Sequence, residues 1–255
     1  MLEDELRDLL NKKYEQYHHP RIIEDDPISI PHQFGQKEDI EISAFLAATL
    51  AWGQRKSIIR SSQRLMQKMD YAPHDFILNH QPNDLKVFEG FVHRTFNFDD
   101  LQHFLKALQH IYHQHNGLEN CFATQANETT IKPALGRFRE IFFEVPHLPR
   151  THKHVSNPYK NSACKRIAMY LRWMVRSAKG GVDFGIWKSI SPSILSCPLD
   201  IHTGNVARHF GMLKRKQSDW KAVEELDLAL RKLDPKDPSK YDFALFGMGV
   251  YEGIK

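Results

Sequence analysis

The segment Cys197-Pro198-Leu199-Asp200-Ile201-His202-Thr203-Gly204-Asn205-Val206-Ala207-Arg208 reads as an extended approach that turns into a helix. Pro198 keeps the residue before it out of the α region, and Asp200 then falls where an N-cap belongs. A capping carboxylate accepts backbone N–H bonds and faces the positive helix end, worth about 0.3–1 kcal/mol. Its direction is therefore fixed by the cap rather than by a flexible stem. Two roles fit such a residue: a cap and nothing more, or a carboxylate held toward a substrate.

Working outward, helical periodicity dominates and strand alternation is nearly absent. Leu2, Leu6, Leu9, Leu10, Tyr14 and Tyr17 form one stripe, and residues 23–37, with two prolines and a glycine, read as loop. Residues 39–70 form a long helical region that Gly53 and Gln54-Arg55-Lys56 divide in two. Asp99 or Asp100 caps a helix carrying Leu101, Phe104, Leu105, Leu108 and Ile111, closed by Gly117. Another helix follows Thr129 or Thr130 and buries Leu135, Phe138, Ile141 and Phe142. Residues 145–160 read as loop, and a helix from about Ser162 stops at Gly180-Gly181. Helices over Asp200–Phe210 and Ser218–Leu233 complete an all-α chain. The expected organisation is an N-terminal helix and loop extension over 1–38 and a helical domain over 39–255.

With 255 residues, 41% hydrophobic and 26% charged, the chain can bury a core without staples. Its longest near-apolar run, Ile42 to Trp52, is well short of the roughly 20 residues of a membrane span. The acidic N-terminus lacks the pattern of a signal peptide. Cys121, Cys164 and Cys197 form no C-x-x-C pair, so a disulfide framework or a four-cysteine centre is excluded, and a reduced, cytoplasmic protein is expected. The first 41 residues carry eleven acids against five Lys/Arg. From Val145 to Val182 there is no acid at all, only Arg150, Lys153, Lys160, Lys165, Arg166, Arg172, Arg176 and Lys179. That run fits a polyanion partner, or a basic face neutralised by acids folded in from elsewhere.

Pro198-Leu199-Asp200-Ile201-His202-Thr203-Gly204-Asn205-Val206-Ala207-Arg208 resembles the V-D-x-H-x-x-R-[VL] segment of the helix-hairpin-helix DNA glycosylases. Asp242-Phe243-Ala244-Leu245-Phe246-Gly247-Met248-Gly249 is similar to the segment that closes that fold. The stretch from Ala44 to Gln54 is similar to its first core helix. Taken whole, the chain resembles a bacterial family distantly related to those enzymes. The resemblance implies two interleaved helical halves around a cleft, and a DNA partner carrying a damaged base. It gives Asp200 the role of the catalytic carboxylate.

The superfamily hairpin, L-P-G-x-G-x-K-T-A, corresponds here to Lys160-Asn161-Ser162-Ala163-Cys164-Lys165-Arg166-Ile167-Ala168, which has no glycine. Asn161 is the residue there that best tolerates a left-handed turn. In strict alignment the nucleophilic lysine falls on Arg166, which stays protonated and cannot attack. A one-residue shift gives Lys165, as in the archaeal 8-oxoguanine glycosylases, whose lysine-to-aspartate separation is also long. Lys165 is the candidate nucleophile on that basis, with phosphate binding or a solvated helix position as its alternatives. The resemblance further implies DNA contacts from Gln54, Lys160, Asn161, Arg166, His202, Asn205 and Arg208. Gln54 would fill the gap left by the extruded base.

Two rival functions use other features. A non-catalytic nucleic-acid-binding protein of the same fold accounts for the glycine-free hairpin. A metal-dependent hydrolase would use some of the fifteen histidines. His110 and His113 share a helix face while His115 points elsewhere, and no H-E-x-x-H pattern accompanies them, so no metal site is expected. With no P-loop, G-x-G-x-x-G or nucleophile elbow, no cofactor is expected either.

Overall fold

The computed structural model describes residues 2–254, and it is predominantly helical. In chain order the helices are α1 (Glu3–Tyr17), α2 (Lys37–Leu50), α3 (Arg55–Lys68), α4 (Pro73–Asn79), α5 (Phe98–Gln114), α6 (Leu118–Cys121), α7 (Lys132–Phe142), α8 (Lys165–Val175), α9 (Ile201–His209), α10 (Trp220–Leu233) and α11 (Tyr241–Tyr251). Strand is confined to one antiparallel hairpin, β1 (Val92–His93) and β2 (Phe96–Asn97). No described helix is long and apolar enough to cross a membrane.

The chain forms two compact units, each assembled from separated stretches. One comprises residues 1–22, 124–133 and 157–255; the other comprises 23–123 and 134–156. Residues 1–38 are therefore shared between the units. α1 lies in the first, along α11, and the 3₁₀ turns at Pro27–Ser29 and Pro31–Gln33 pack on α2 in the second.

The second unit is built around α2. Every residue from Ile40 to Leu50 is buried, because α3, α4 and the preceding turns cover it. Phe45 meets Phe104, Phe138 and Phe142 at ring separations of 5.9, 5.6 and 5.7 Å. Full burial of each such ring contributes about 1.5–3 kcal/mol. α5 is capped by Asn97, not by Asp99 or Asp100. Asn97 Oδ1 accepts from Asp100 N, and Asp100 Oδ2 accepts from Asn97 N, a reciprocal capping box. The completely buried Asp100 also receives Thr151 Oγ1 at 2.9 Å and faces Arg150 at 3.1 Å and His154 at 3.2 Å.

In the first unit α11 runs between α1 and α9. Two glycines make that possible. A Cβ on Gly247 would collide with the Tyr17 ring of α1, and one on Gly249 would sit 2.9 Å from His202 Cβ of α9. Beneath this layer lie Tyr170, Trp173, Trp187 and Trp220, all fully buried.

Candidate active site

Asp200 caps α9 as its sequence suggests: the backbone is extended, and Oδ1 accepts from Thr203 N at 2.9 Å. The other oxygen, Oδ2, stays outside the cap and lies 3.8 Å from Lys165 Nζ. Lys165 is the first residue of α8, so one turn of helix presents it toward the start of another. The two side chains retain 32% and 21% of their surface, enough for a substrate to reach them.

Behind Asp200 lies a ladder of buried charge. Arg172 of α8 donates to Asp242 Oδ2 at 2.5 Å and approaches Asp183 Oδ1 at 3.4 Å. Arg176, one turn on, donates to Asp183 and to both oxygens of Asp237. Burial pushes the Asp242 carboxyl up to about 6; the Arg172 charge pulls it down and Asp200 pushes it further up. Burial also raises Asp183. The carboxylates around Arg176 hold its proton far above neutral pH, so that pair is ionic. Buried ion pairs of this kind fix geometry more than they add stability. Here they fix where α8 and α11 stand behind the Lys165–Asp200 pair.

The hairpin before α8 is a tight turn built without glycine. Asn161 takes φ +60° and Cys164 φ +52°, so these two residues supply the left-handed positions. The Asn161 amide donates to Asp219 Oδ2 at 2.9 Å, and Ser162 forms an isolated antiparallel bridge with Asp219. Hydrogen bonds from Arg215 hold the Asp219 carboxyl well below the usual carboxylate range.

The remaining candidates divide. Lys160 is exposed beside the hairpin. Arg166 is half-buried, and burial lowers its guanidinium to about 10, still protonated at neutral pH. His202 is exposed on α9 with its ring 5.9 Å from that of Phe246, and Asn205 is half-buried one turn on. Arg208 bends back to donate to the carbonyls of Arg215 and Lys216 at 2.9 and 3.0 Å, so it braces a loop. Gln54 belongs to the other unit, where it is exposed and caps α3 through its backbone carbonyl.

Half of the cations in the acid-free run from Val145 to Val182 are neutralised by acids folded in from elsewhere, the second of the two readings, while Lys153, Lys160 and Lys179 stay exposed. Arg150 pairs with Asp100, Lys165 with Asp200, Arg172 with Asp183 and Asp242, and Arg176 with Asp183 and Asp237. The neutralising acids come mostly from later in the chain. Another set of exposed cations with no acidic partner among the described residues, Lys56, Arg60 and Arg64, lies on α3. Residues 42–69 hold no acid, and α3 carries Arg55, Lys56, Arg60, Arg64 and Lys68.

The histidine geometry also differs from expectation. His110 and His115, not His113, converge: their Nε2 atoms lie 2.7 and 3.0 Å from Glu144 Oε2. His113 Nε2 sits 3.1 Å from the Leu78 carbonyl oxygen. Among the described residues His110, His115 and Glu144 form a group that could hold a metal ion. All three belong to the second unit, whereas Lys165 and Asp200 belong to the first.

These features occur in a chain that belongs to the family described as "Protein of unknown function (DUF2400)", whose model matches residues 26–251. No curated protein and no solved structure matches it.

Proposed function

We propose that this protein is a DNA repair glycosylase of helix-hairpin-helix architecture, two interleaved helical halves around a cleft, acting on a damaged base extruded from duplex DNA. The observation that carries the reading is the approach of Lys165 Nζ to Asp200 Oδ2, 3.8 Å across 35 residues of sequence. An amine and a carboxylate on two helix N-termini, both open to solvent, suit attack at a sugar carbon.

Extruding the nucleotide costs a few kcal/mol. As the N-glycosidic bond breaks, the base leaves with the bonding electrons and positive charge grows on the sugar. The Asp200 carboxylate, held in place by its cap, stabilises that charge. Water then adds at C1′ and leaves an abasic site. If Lys165 adds instead, its amine must first give up a proton, for which Asp200 is the neighbouring acceptor. The C–N bond that forms leads to an imine and later to strand scission. Asp242, buried and clamped by Arg172, holds the floor of the site.

The test is a panel of labelled duplexes carrying 8-oxoguanine, uracil, a methylated purine or an abasic site. Each is incubated with wild-type protein, Asp200→Asn and Lys165→Gln, then treated with hot alkali or borohydride. Lesion-specific cleavage that disappears in Asp200→Asn is expected. A borohydride-trapped adduct that disappears in Lys165→Gln assigns the lyase step. Absence of cleavage on every duplex overturns the reading. The second reading is a non-catalytic DNA-binding protein of the same fold. The glycine-free hairpin favours it, because Asn161 and Cys164 rather than glycines occupy the left-handed positions there. Under that reading Asp200→Asn leaves duplex affinity unchanged. For either reading we propose a reduced, cytoplasmic setting, to which three buried free cysteines are suited.

A further inference from the structure

α3 presents a charged face, Lys56, Arg60 and Arg64, that no described acid neutralises. Lys56, Arg60 and Arg64 recur every fourth residue, so about 6 Å of helix rise separates each from the next. All three are exposed, and none has an acidic partner among the described residues. Arg94 joins them from the β1–β2 hairpin, also exposed and without an ion pair there. The shared groove between α3 and the hairpin has a volume of about 420 Å³, with Ser57, Ser61 and Gln54 among its polar lining.

Three details keep Arg94 in that groove. It takes φ +57° in the two-residue hairpin loop, a conformation that glycine or asparagine adopts more readily. Its guanidinium lies over Gly53, where a Cβ would sit 2.7 Å from Arg94 Nη1 and displace it. His93, the residue before it, is buried and fastened on both sides. Its Nδ1 lies 2.9 Å from Ser61 Oγ of α3, and its Nε2 lies 3.3 Å from the Trp52 carbonyl oxygen. One neutral imidazole satisfies both, donating from Nε2 and accepting at Nδ1. The hairpin is thus tied to α3 and to the loop before it, and the tie presents a cation without a counter-ion. Arg7, Arg150, Arg172, Arg176 and Arg215 are each matched with a carboxylate, whereas this row of four cations has none among the described residues and calls for an anion from outside. A row spaced along a helix suits a chain of phosphates better than a single one.

We infer that α3 and the β1–β2 hairpin form a binding face for the phosphate backbone of duplex DNA, contacted by Lys56, Arg60, Arg64 and Arg94. The inference rests on the proposal that DNA is the partner, and it is independent of whether Asp200 and Lys165 perform chemistry. The face reads no sequence, because phosphates are alike along a strand. It belongs to the unit that does not hold the Lys165–Asp200 pair, so binding and chemistry are separable by mutation.

The experiment measures binding of an undamaged labelled 20-base-pair duplex across 50–250 mM salt. It compares wild-type protein, the triple variant Arg60→Gln/Arg64→Gln/Arg94→Gln, and a charge-matched control. That control, Lys12→Gln/Lys221→Gln/Lys232→Gln, removes three exposed lysines from the other unit. Three lost phosphate contacts should flatten the slope of log K against log salt by about 2.7 and weaken binding at 100 mM salt roughly tenfold or more. The control should change the slope by much less, and thermal unfolding should show that both variants are folded. A slope that the triple variant and the control change equally overturns the face, because net charge alone then accounts for the effect. An unchanged slope in the triple variant overturns it as well, and leaves the glycosylase reading standing. If the wild-type chain does not bind duplex at 50 mM salt, the DNA partner falls and this face with it. Loss of lesion cleavage in every assay, with the slope change intact, overturns the chemistry alone. Tighter binding to single-stranded RNA than to duplex overturns the choice of ligand.

Discussion

Arg172→Met tests whether the buried charge ladder is what fixes the floor of the site. The guanidinium contacts Asp242 at 2.5 Å and Asp183 at 3.4 Å, and it stacks 4.1 Å from the Phe243 ring centroid. Methionine keeps the apolar volume and removes the charge. It leaves two buried carboxylates short of a partner, and breaking a buried pair in this way costs about 3–5 kcal/mol. For a chain of this size that corresponds to a fall of roughly 6–20 °C in Tm. The pH dependence discriminates further. Asp242 already titrates at about 6 because burial raises it, and losing the Arg172 charge raises it again. A carboxyl whose folded pKa lies above its unfolded value binds more protons when folded. The stability it supports therefore falls as pH rises through that window. The deficit of Arg172→Met relative to wild type should be largest near pH 8 and shrink toward pH 5. Paired urea titrations at the two pH values measure it. A deficit below about 1 kcal/mol at pH 8, or one identical at both, would refute the reasoning.

Asp227 is buried, titrates at about 6 for that reason, and accepts Cys197 N at 2.9 Å. Asp227→Asn keeps that acceptor and removes the titration, so the variant should gain up to about 3 kcal/mol on wild type between pH 4 and pH 7 in urea titrations. A difference that does not move with pH counts against it. His18 behaves oppositely: burial lowers it to about 4, helped by the Arg176 and Arg172 charges. Its stabilising share is complete above the unfolded value of 6.5 and is lost as pH falls toward 4, so His18→Phe should lose less stability than wild type between pH 7 and pH 5. Equal acid losses in the two proteins, read by thermal melts, refute this. Gly247→Ala places a methyl group against the Tyr17 ring, and overpacking of this kind costs about 1–3 kcal/mol. Limited proteolysis should release α1 earlier than in wild type, and unchanged protection disproves the contact.

Much of the helical pattern was legible because the apolar stripes are regular, and Asp200 because Pro198 and a following periodic run mark a helix start. The α5 cap was not: two aspartates beside the first stripe residue mask Asn97, whose bond to Asp100 is reciprocal and shows only in three dimensions. α11 gave no stripe, because Gly247 and Gly249 interrupt it for the sake of Tyr17 and His202 rather than for solvent. Charge misled most. Counting along the chain marked residues 145–182 as basic, yet Asp183, Asp237 and Asp242 arrive from later segments to neutralise Arg172 and Arg176. α3 drew no attention, with fewer cations over a shorter span, yet its Lys56, Arg60 and Arg64 face water. Lys165 and Asp200 could be matched in sequence only by resemblance; their proximity depends on how residues 176–199 return.

The placement of α11 between α1 and α9 also bears on how the chain is made. α1 and the helix it docks on are far apart in the sequence; the Asn11–Tyr241 hydrogen bond alone spans 230 residues. During synthesis α1 is made well before α10 and α11, the helices that pack on it. The last stretch of the second unit, ending at Ser156, is made before the stretch 157–255 that the first unit needs. The first unit thus closes after the second can, and such long-range closure is slow. A nascent chain stalled before Tyr241 carries an amphipathic α1 whose apolar stripe lacks α11, the kind of surface that chaperones hold.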